Sequence, residues 1–369
     1  MIVSPFKQAL LAVVRRRGPI SRQDLAQHLH ARPNSVGDAA ARLIRRGLLR
    51  EEPPRINGPG RPSVPLAVDP RRRVVLGLAL EPGRVGCSRL NLLGQPVAEP
   101  IRRRVASPAR LIHAAARLLR DARDRRVLAV GVSTTGFVDV DTRRVLLSSA
   151  VPDAKIATLD PVFAAAGRTP VVLDNDMHAL AAAWLLSEPR PAEADVLLVD
   201  LRDGGIGGAL IVAGRPNRGC VVGGNEIGHT RCPAVTPVCY CGQSGCIERV
   251  FSSEYLGTRP GHADDLAARL RRGPDADAAL ADVLGHLAWV FANAVNLIRP
   301  TRLVLHLPTG THADVVHMVE QHTRRQLLRP LADRVRIEQW TGGPDRFSES
   351  AAWLALAGLY LAAWPQPAQ

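Results

Sequence analysis

The sequence predicts an α/β protein in which a small, basic, helical module precedes a larger body that carries a metal-binding loop. Three short helical patterns occupy the first 46 residues, whereas strand and helix patterns alternate after residue 73. A run of one histidine and three cysteines lies in the second half of the chain. These observations predict two parts of different architecture.

The N-terminal module has the pattern of three short helices. Apolar residues recur at helical spacing over Phe6–Arg16, and a glycine and a proline follow. Ser21 is a good N-cap for a second helix, with Asp24 three residues later as a partial capping box. A third helix is predicted over Pro33–Arg46, where Gly47 would end it. The tight turn before the third helix is typical of a helix-turn-helix.

The segment Leu48–Leu66 predicts a β-hairpin wing and a linker, so the first domain is expected to span residues 1–66. A generic three-helix interaction module is the alternative. Charge favours a polyanion-binding role, because residues 1–73 hold 15 Lys and Arg against 5 Asp and Glu, a formal +10 of the total of +14. Arginine enrichment of the whole chain would explain the total but not this asymmetry.

In a helix-turn-helix, the start of the third helix faces the DNA groove. Asn34 and Ser35 can reach base edges, and arginines near them are candidates for phosphate and minor-groove contacts. Asp38 is expected to weaken phosphate binding locally. The candidate DNA-binding residues are Arg32, Asn34, Ser35, Arg42, Arg55 and Arg61.

The histidine and cysteine run has the spacing H-x9-C-x-C-x4-C, formed by His229, Cys239, Cys241 and Cys246. Three thiolates and one imidazole suit tetrahedral zinc in a closed, structural site. Cys232 lies nearby, but the spacing excludes it from the ligand set. A loop of buried or disulfide-paired cysteines is the alternative.

The segments EIGH, from Glu226 to His229, and CYCGQSGCIE, from Cys239 to Glu248, resemble the signature of the ROK family. This family groups bacterial sugar kinases with sugar-responsive repressors. The segment SRQDLAQHLHARPNSVGDAAARLIRRGLL and the following GPGRP resemble the winged helix of the repressors. The resemblance covers nearly the full chain, and it implies a winged helix-turn-helix followed by a two-lobed, ribonuclease-H-like domain of the actin and sugar kinase type with a structural zinc loop.

The body is expected to span residues 73–365. Its first lobe would comprise about residues 73–177 with the C-terminal helix, and its second lobe about residues 178–345. The resemblance places sugar-binding residues in both lobes. For Ser149 a structural role is an equal alternative, and for Asp176 helix capping is the alternative. The implied sugar-binding residues are Gly136, Ser149, Asn175, Asp176, Glu226, His229 and Glu248.

Kinases of the family hold nucleotide phosphates on glycine-rich turns that this chain lacks in part. Ala79 stands where the kinases have a metal-binding aspartate, and the second turn reads DGGIGG, with Asp203 where a carboxylate would repel phosphate. Phosphoryl transfer depends on such cradles to position the phosphates, so a general base without them contributes little to the rate of this reaction. We therefore expect a protein that is not an enzyme, with a zinc-containing sugar kinase as the alternative.

The sequence thus predicts a sugar-responsive repressor that binds operator DNA as a homodimer or homotetramer, with structural Zn²⁺ as its cofactor. A constitutive DNA-binding protein with a vestigial pocket is a further alternative. The N-terminus lacks a signal-peptide pattern, and no uninterrupted apolar run reaches the roughly 18 residues of a membrane span. Cysteines with metal-ligand spacing also suit a reducing compartment. The expected location is the cytoplasm.

Overall fold

The chain divides into two compact units. The first comprises Met1–Pro189 and Arg346–Gln369, and the second comprises Arg190–Asp345. The structure is a computed structural model that describes residues 2–54, 63–149, 157–188, 194–219, 223–233, 235–257, 265–344, 347–361 and 364.

The first unit begins with the predicted helix-turn-helix. Ser21 caps the second helix by accepting a hydrogen bond from the backbone N–H of Asp24 at 3.1 Å, as the sequence predicted. Gly47 follows the third helix with a φ of +72°, a conformation that suits glycine. Two short antiparallel strands flank the segment predicted to form the wing, of which residues 55–62 lie outside the described residues. The elements are helices α1 (Pro5–Arg17), α2 (Arg22–His28) and α3 (Pro33–Arg45), and strands β1 (Leu49–Glu51) and β2 (Leu66–Val68).

The rest of the first unit is a five-stranded sheet with order β10-β6-β3-β4-β5 and a three-stranded sheet with order β7-β8-β9. In the larger sheet β3 pairs parallel with β6, and β6 pairs parallel with β10. The elements are β3 (Val74–Glu81), β4 (Arg84–Asn91), β5 (Ile101–Arg104), α4 (Leu111–Ala122), β6 (Val127–Thr134), β7 (Phe137–Asp139), β8 (Arg144–Leu147), β9 (Ala157–Thr158), α5 (Asp160–Ala166), β10 (Val171–Asn175), α6 (Asp176–Ser187) and α12 (Phe347–Tyr360).

Helix α12 lies directly on this sheet because two glycines leave room for it. Gly77 of β3 and Gly131 of β6 are direct partners in the parallel register. A Cβ atom on Gly77 would lie 2.0 Å from the carbonyl oxygen of Ser348, and one on Gly131 would lie 1.8 Å from that of Ala351. The backbone of the helix therefore occupies the space that side chains would fill on other strand pairs.

Helix α6 belongs to the first unit, although the sequence analysis assigned residues from 178 onward to the second lobe. The reason is its packing against α12. Small and apolar side chains cover this helix, and every residue from Met177 to Leu185 is buried. Because α6 is buried on all sides, it lies within the first unit, and the boundary between the two units falls after it.

The second unit is built on a five-stranded sheet with order β13-β12-β11-β14-β15. Strand β11 pairs antiparallel with β12 and parallel with β14. Its elements are β11 (Val196–Arg202), β12 (Gly205–Val212), β13 (Arg215–Pro216), α7 (Ser253–Gly257), α8 (Leu266–Arg272), α9 (Ala278–Ile298), β14 (Arg302–His306), α10 (Ala313–Gln326), α11 (Arg329–Ala332) and β15 (Arg336–Gln339).

Helix α9 is long and apolar enough to cross a membrane by length and composition alone. In the structure it is the central helix of the second unit, and Leu284, Leu287 and Phe291 are fully buried in its core. Burial of this kind is the ordinary property of a core helix, so the composition of α9 does not indicate a membrane protein.

We expect Gly131→Ala to lower the free energy of unfolding by about 3 kcal/mol or more, because the new Cβ would force α12 away from the sheet. Gly37→Ala is the matched control. A Cβ on Gly37 of α3 meets nothing within 4 Å, and alanine has the higher helix propensity. Urea denaturation measures both changes. Equal midpoints for the two variants would contradict the packing argument.

Candidate functional site

The structure brings His229, Cys239, Cys241 and Cys246 of the second unit together. Their ligand atoms all lie within 4.8 Å of one another. The Sγ atoms of Cys241 and Cys246 are 3.7 Å apart, and Nδ1 of His229 is 3.6 Å from Sγ of Cys239. Tetrahedral zinc with ordinary bond lengths would place two sulfurs about 3.8 Å apart, and nitrogen and sulfur about 3.6 Å apart. The four side chains therefore have the geometry to hold one tetrahedral metal ion.

Two glycines allow the loop around this cluster to turn tightly. Gly242 and Gly245 have φ angles of +85° and +90°, which suit glycine. The backbone N–H of Cys232 donates to the carbonyl of Gly245 at 2.8 Å, so this cysteine belongs to the scaffold of the loop. The hydroxyl of Tyr240 lies 3.0 Å from Nε2 of His229, so the histidine offers Nδ1 to the cluster.

Two carboxylates border the metal cluster. The Oε2 atom of Glu226 lies 3.7 Å from Nε2 of His229. Glu248 is buried, and its Oε2 accepts a hydrogen bond from the backbone N–H of Ile206 at 3.2 Å. Burial and the neighbouring Glu248 raise the pKa of Glu226 to about 7, and burial also raises the pKa of Glu248. These acceptors lie close together and suit the recognition of hydroxyl groups.

The candidate sugar-binding residues of the first unit also come together. The side-chain amide of Asn175 donates to the carbonyl of Gly136 at 2.6 Å, and its oxygen accepts from the N–H of Met177 at 2.7 Å. Asn175 is thus the N-cap of α6, and Asp176 is the first residue of the helix. Gly136 has a φ of +75°, and a Cβ atom there would lie 2.2 Å from the carbonyl of Leu147.

Polar side chains that were not predicted from the sequence lie next to these candidate sugar-binding residues. The hydroxyl of Thr135 lies 2.8 Å from that of Ser148 and 3.2 Å from that of Ser149, so Ser149 is tied to the loop that carries Gly136. A fully buried pair, Asp174 and His178, has its side chains 2.8 Å apart. Asp174 lies in β10 and His178 lies in the first turn of α6, so the pair bridges a strand and a helix, and neither it nor the hydroxyl cluster has a signal in the sequence.

Helix α3 presents one polar face to solvent. Asn34, Ser35 and Asp38 are exposed, whereas Val36, Ala39, Ala40 and Leu43 are buried on the other side. Arg42 is exposed on the same side as Asp38, four residues further along the helix. Arg45 is exposed one turn later and was missed. Arg32 is the exposed N-cap of the helix. The candidates Arg55 and Arg61 lie outside the described residues.

The structure describes the surroundings of Ala79 and Asp203, the two positions that the resemblance to ROK kinases compares with phosphate cradles. Ala79 is buried within β3. Asp203 accepts hydrogen bonds from the backbone N–H and the hydroxyl of Ser253 at 2.7 and 2.5 Å, so it fixes the turn before β12 to α7. Sequence reasoning also missed the buried pair of Asp200 and His306, whose side chains lie 2.7 Å apart.

The Asp200–His306 pair adjoins a cavity of about 210 Å³ in the second unit. Nε of Arg202 donates to Asp200 at 2.6 Å, and this guanidinium together with His306 lowers the pKa of the buried carboxyl. The cavity lies where the chain leaves β14. It is lined by Arg202, His306, Leu307, Pro308 and Thr309.

The ROK family model matches residues 101–357, more than two thirds of the chain. This protein belongs to the ROK family. The match includes the metal cluster, both carboxylates beside it and the Asn175–Asp176 pair. The family assignment and the α/β fold expected from the sequence are thereby confirmed.

Two kinds of ROK protein are related to this chain in sequence. The DNA-binding transcriptional repressor Mlc of Escherichia coli (strain K12) is 24% identical over 364 residues, which cover 89% of this chain and 87% of Mlc. The N-acetyl-D-glucosamine kinase of Citrobacter koseri is 27% identical over 248 residues, which cover 62% of this chain and 80% of the kinase.

The solved structures divide in the same way. A ROK family transcriptional regulator, described as a homolog of the Escherichia coli Mlc protein, matches with a TM-score of 0.78 and 21% identity. That match covers 96% of both chains. The ROK hexokinase of Thermus thermophilus matches with a TM-score of 0.59 and 23% identity, and it covers 76% of this chain and 97% of the hexokinase. The regulator fold therefore accounts for more of the chain.

We expect Cys241→Ser to bind less metal than the wild type and to lower the free energy of unfolding by about 3 kcal/mol or more, because a hydroxyl is a poor replacement for a thiolate ligand. Cys232→Ser is the control, since this buried thiol lies outside the cluster. Mass-spectrometric metal analysis and thermal denaturation provide the measurement. Equal metal content in the two variants would contradict the ligand assignment.

Proposed function

We propose that this ROK protein is a sugar-responsive transcriptional regulator, a repressor that a sugar or sugar derivative releases from operator DNA. The observation that carries the proposal is the extent of the structural match. A ROK regulator covers 96% of the chain, whereas the ROK hexokinase covers 76% while matching 97% of its own length. A kinase fold alone therefore leaves about a quarter of this chain without a counterpart, and this chain carries a helix-turn-helix.

The DNA contacts are assigned to the exposed face of α3 and to the arginines near it. Asn34 and Ser35 at the start of the helix would reach base edges, while Arg32 and Arg42 would contact phosphates. Arg55 and Arg61 are proposed for the same role from their place in the wing segment. Operators of dimeric regulators mirror the symmetry of the protein, so a homodimer or homotetramer with a near-palindromic operator is proposed.

The effector contacts are assigned to the polar groups described on each unit. Gly136, Ser149, Asn175 and Asp176 of the first unit, and Glu226, His229 and Glu248 of the second, would bind sugar hydroxyls through carboxylate, amide, hydroxyl and backbone groups. The two carboxylates beside the metal cluster suit this task because they are held in place by Ile206 and His229. Zn²⁺ is proposed as the structural ion, since three sulfurs and one nitrogen form a ligand set that zinc prefers.

Regulation requires that the sugar bind one conformation better than another. A ligand at 100 times its Kd for the conformation that releases DNA stabilises that conformation by about 2.7 kcal/mol, which corresponds to about a hundredfold loss of operator affinity. One well-bound sugar is therefore sufficient for a switch. The cytoplasm is the proposed location, because both the DNA and the sugar are available there.

A kinase activity is the second candidate, because ROK kinases are relatives of this chain. Asp176 occupies the position of the general base, but Ala79 and Asp203 leave the expected phosphate cradles incomplete. We propose that the protein is not an enzyme. Phosphorylation of a sugar by ATP, abolished in the Asp176→Asn variant, would contradict this proposal.

Fluorescence anisotropy of labelled DNA from upstream of the gene tests the main proposal. Wild-type protein is expected to bind this DNA, and one sugar of a panel is expected to release it. The Glu248→Gln variant should bind the DNA normally but require at least about tenfold more sugar, because a buried acceptor of the effector is altered. Glu254→Gln is the control, since the Glu254 side chain is 75% exposed. Sugar-independent DNA binding by the wild type would contradict the proposal.

We expect Arg42→Ala to weaken operator binding about threefold to tenfold and to reduce the slope of log K against log salt by about 1, because one phosphate contact is lost. Arg325→Ala removes an exposed arginine from α10 of the second unit and serves as the charge-matched control. Anisotropy titrations at four salt concentrations measure the slope. An unchanged slope for Arg42→Ala would exclude a phosphate contact.

A further inference from the structure

One guanidinium group joins the first helix of the DNA-binding module to the body of the first unit. Nη1 of Arg15 donates to the carbonyl of Leu186 at 2.6 Å, and Nη2 donates to the carbonyl of Leu93 at 3.4 Å. The guanidinium carbon also lies 5.6 Å from the ring centroid of Trp353 and 5.2 Å from that of Tyr360, within cation–π range. Arg15 thus contacts three separate parts of the body at once.

The contact with Leu186 is a helix cap supplied from another element. Leu186 lies in the last turn of α6, which ends at Ser187, and carbonyl groups in the last turn of a helix lack donors within the helix. A cation at this end also interacts favourably with the partial negative charge of the helix. Arg15 of α1 therefore stabilises the C-terminal end of α6, although 171 residues separate it from Leu186.

The opposite end of the same helix carries the proposed sugar-binding pair. Asn175 is the N-cap of α6 and Asp176 is its first residue. The helix has 12 residues and is therefore about 18 Å long. Because its side chains from Met177 to Leu185 are all buried, it can transmit a displacement between its ends as a rigid body.

Helix α1 has a second attachment that does not involve α6. Nε2 of Gln8 donates to the carbonyl of Gly358 at 3.0 Å and to that of Leu361 at 3.2 Å, at the end of α12. Gln8 therefore holds α1 on α12 alone, whereas Arg15 contacts α12 and is also hydrogen-bonded to the end of α6. A shift of α6 relative to α12 would change the angle of α1, and with it the orientation of the helix-turn-helix.

We propose that Arg15 is the positioning residue that couples the sugar-binding end of α6 to the DNA-binding helices. This inference rests on the proposed function and specifies how the sugar acts on the DNA-binding module. Arg15 itself contacts neither ligand. Its role is to make the two binding events depend on each other.

The test compares operator affinity with and without saturating inducer sugar in wild type, Arg15→Gln, Arg15→Lys and Arg17→Gln. Coupling between sites is typically about 5-fold to 150-fold in affinity, and we expect Arg15→Gln to reduce this factor to below about threefold. Arg15→Lys keeps the charge but loses the planar fork, so an intermediate factor is expected. Arg17→Gln removes the same charge from an exposed position of α1 and should keep the wild-type factor within about twofold.

Calorimetric titration of each variant with the sugar in the absence of DNA completes the experiment. We expect Arg15→Gln to bind the sugar within about twofold of wild type, because the N-terminal end of α6 is unchanged. Reciprocity requires that operator DNA weaken sugar binding by the same factor as the sugar weakens operator binding. Suppose that Arg15→Gln reduces both the effect of sugar on operator affinity and the effect of operator DNA on sugar affinity, while it binds each ligand alone as the wild type does. This result would establish coupling and exclude a purely structural role.

The outcomes separate this inference from the proposed function. If sugar releases the wild type from the operator and the coupling factor is unchanged in Arg15→Gln and Arg15→Lys, the inference is overturned. The regulator proposal then remains in place. No release of wild type by any sugar would overturn both. If circular dichroism shows that Arg15→Gln does not fold, the factor of Arg15→Lys decides, and a value equal to that of wild type would overturn the inference.

Discussion

The close approach of helix α12 to the sheet of the first unit is the contact on which much of this structure depends. It is possible because Gly77 and Gly131 face each other on adjacent strands, where any side chain would collide with the helix backbone. Once seated there, α12 covers the sheet on one side and packs against α6 and α1 with the rest of its surface. Helix α1 and helix α6, which Asn175 caps, thus share one supporting element.

In the second unit, the loop that carries the histidine and cysteine cluster is irregular in backbone, although Ile227, Val235 and Ile247 anchor it in the hydrophobic core. Short 3-10 turns at Ile227–His229 and Ile247–Arg249 carry the carboxylates, and isolated bridges such as that between Arg231 and Cys246 connect them. A bound metal would fix four points of this irregular backbone at once. The acceptors Glu226 and Glu248 would then be positioned by metal coordination together with the packing of the adjacent Ile227 and Ile247.

The sequence was most informative where structure depends on neighbouring residues. The cap at Ser21, the helix end at Gly47 and the metal cluster follow from local spacing, and the structure has them where expected. The resemblance to ROK proteins supplied the rest of the fold. By contrast, the cap that Arg15 gives to Leu186 involves residues far apart in the chain, and nothing near either residue indicates the other.

The contrast between local and long-range contacts also explains the other differences between the sequence predictions and the structure. Asp200 and His306 are 106 positions apart, so their buried pair became visible only once β11 and β14 were known to be neighbours. Helix α6 was assigned to the wrong lobe because its composition shows that it is buried but not against which partner. Hydrophobic pattern reports burial, whereas the identity of the partner is a property of the whole fold.

The discontinuity of the first unit has a consequence for the order in which the protein is made. Residues 190–345 form one continuous unit, whereas the first unit needs segments from both ends of the chain. A ribosome releases α12 only after residues 190–345, so the sheet that receives it must wait through the synthesis of the entire second unit. Domains usually fold in the order of synthesis, but here the later unit can be complete before the earlier one. Helix α1 acquires its docking surface only after the second unit has been synthesised.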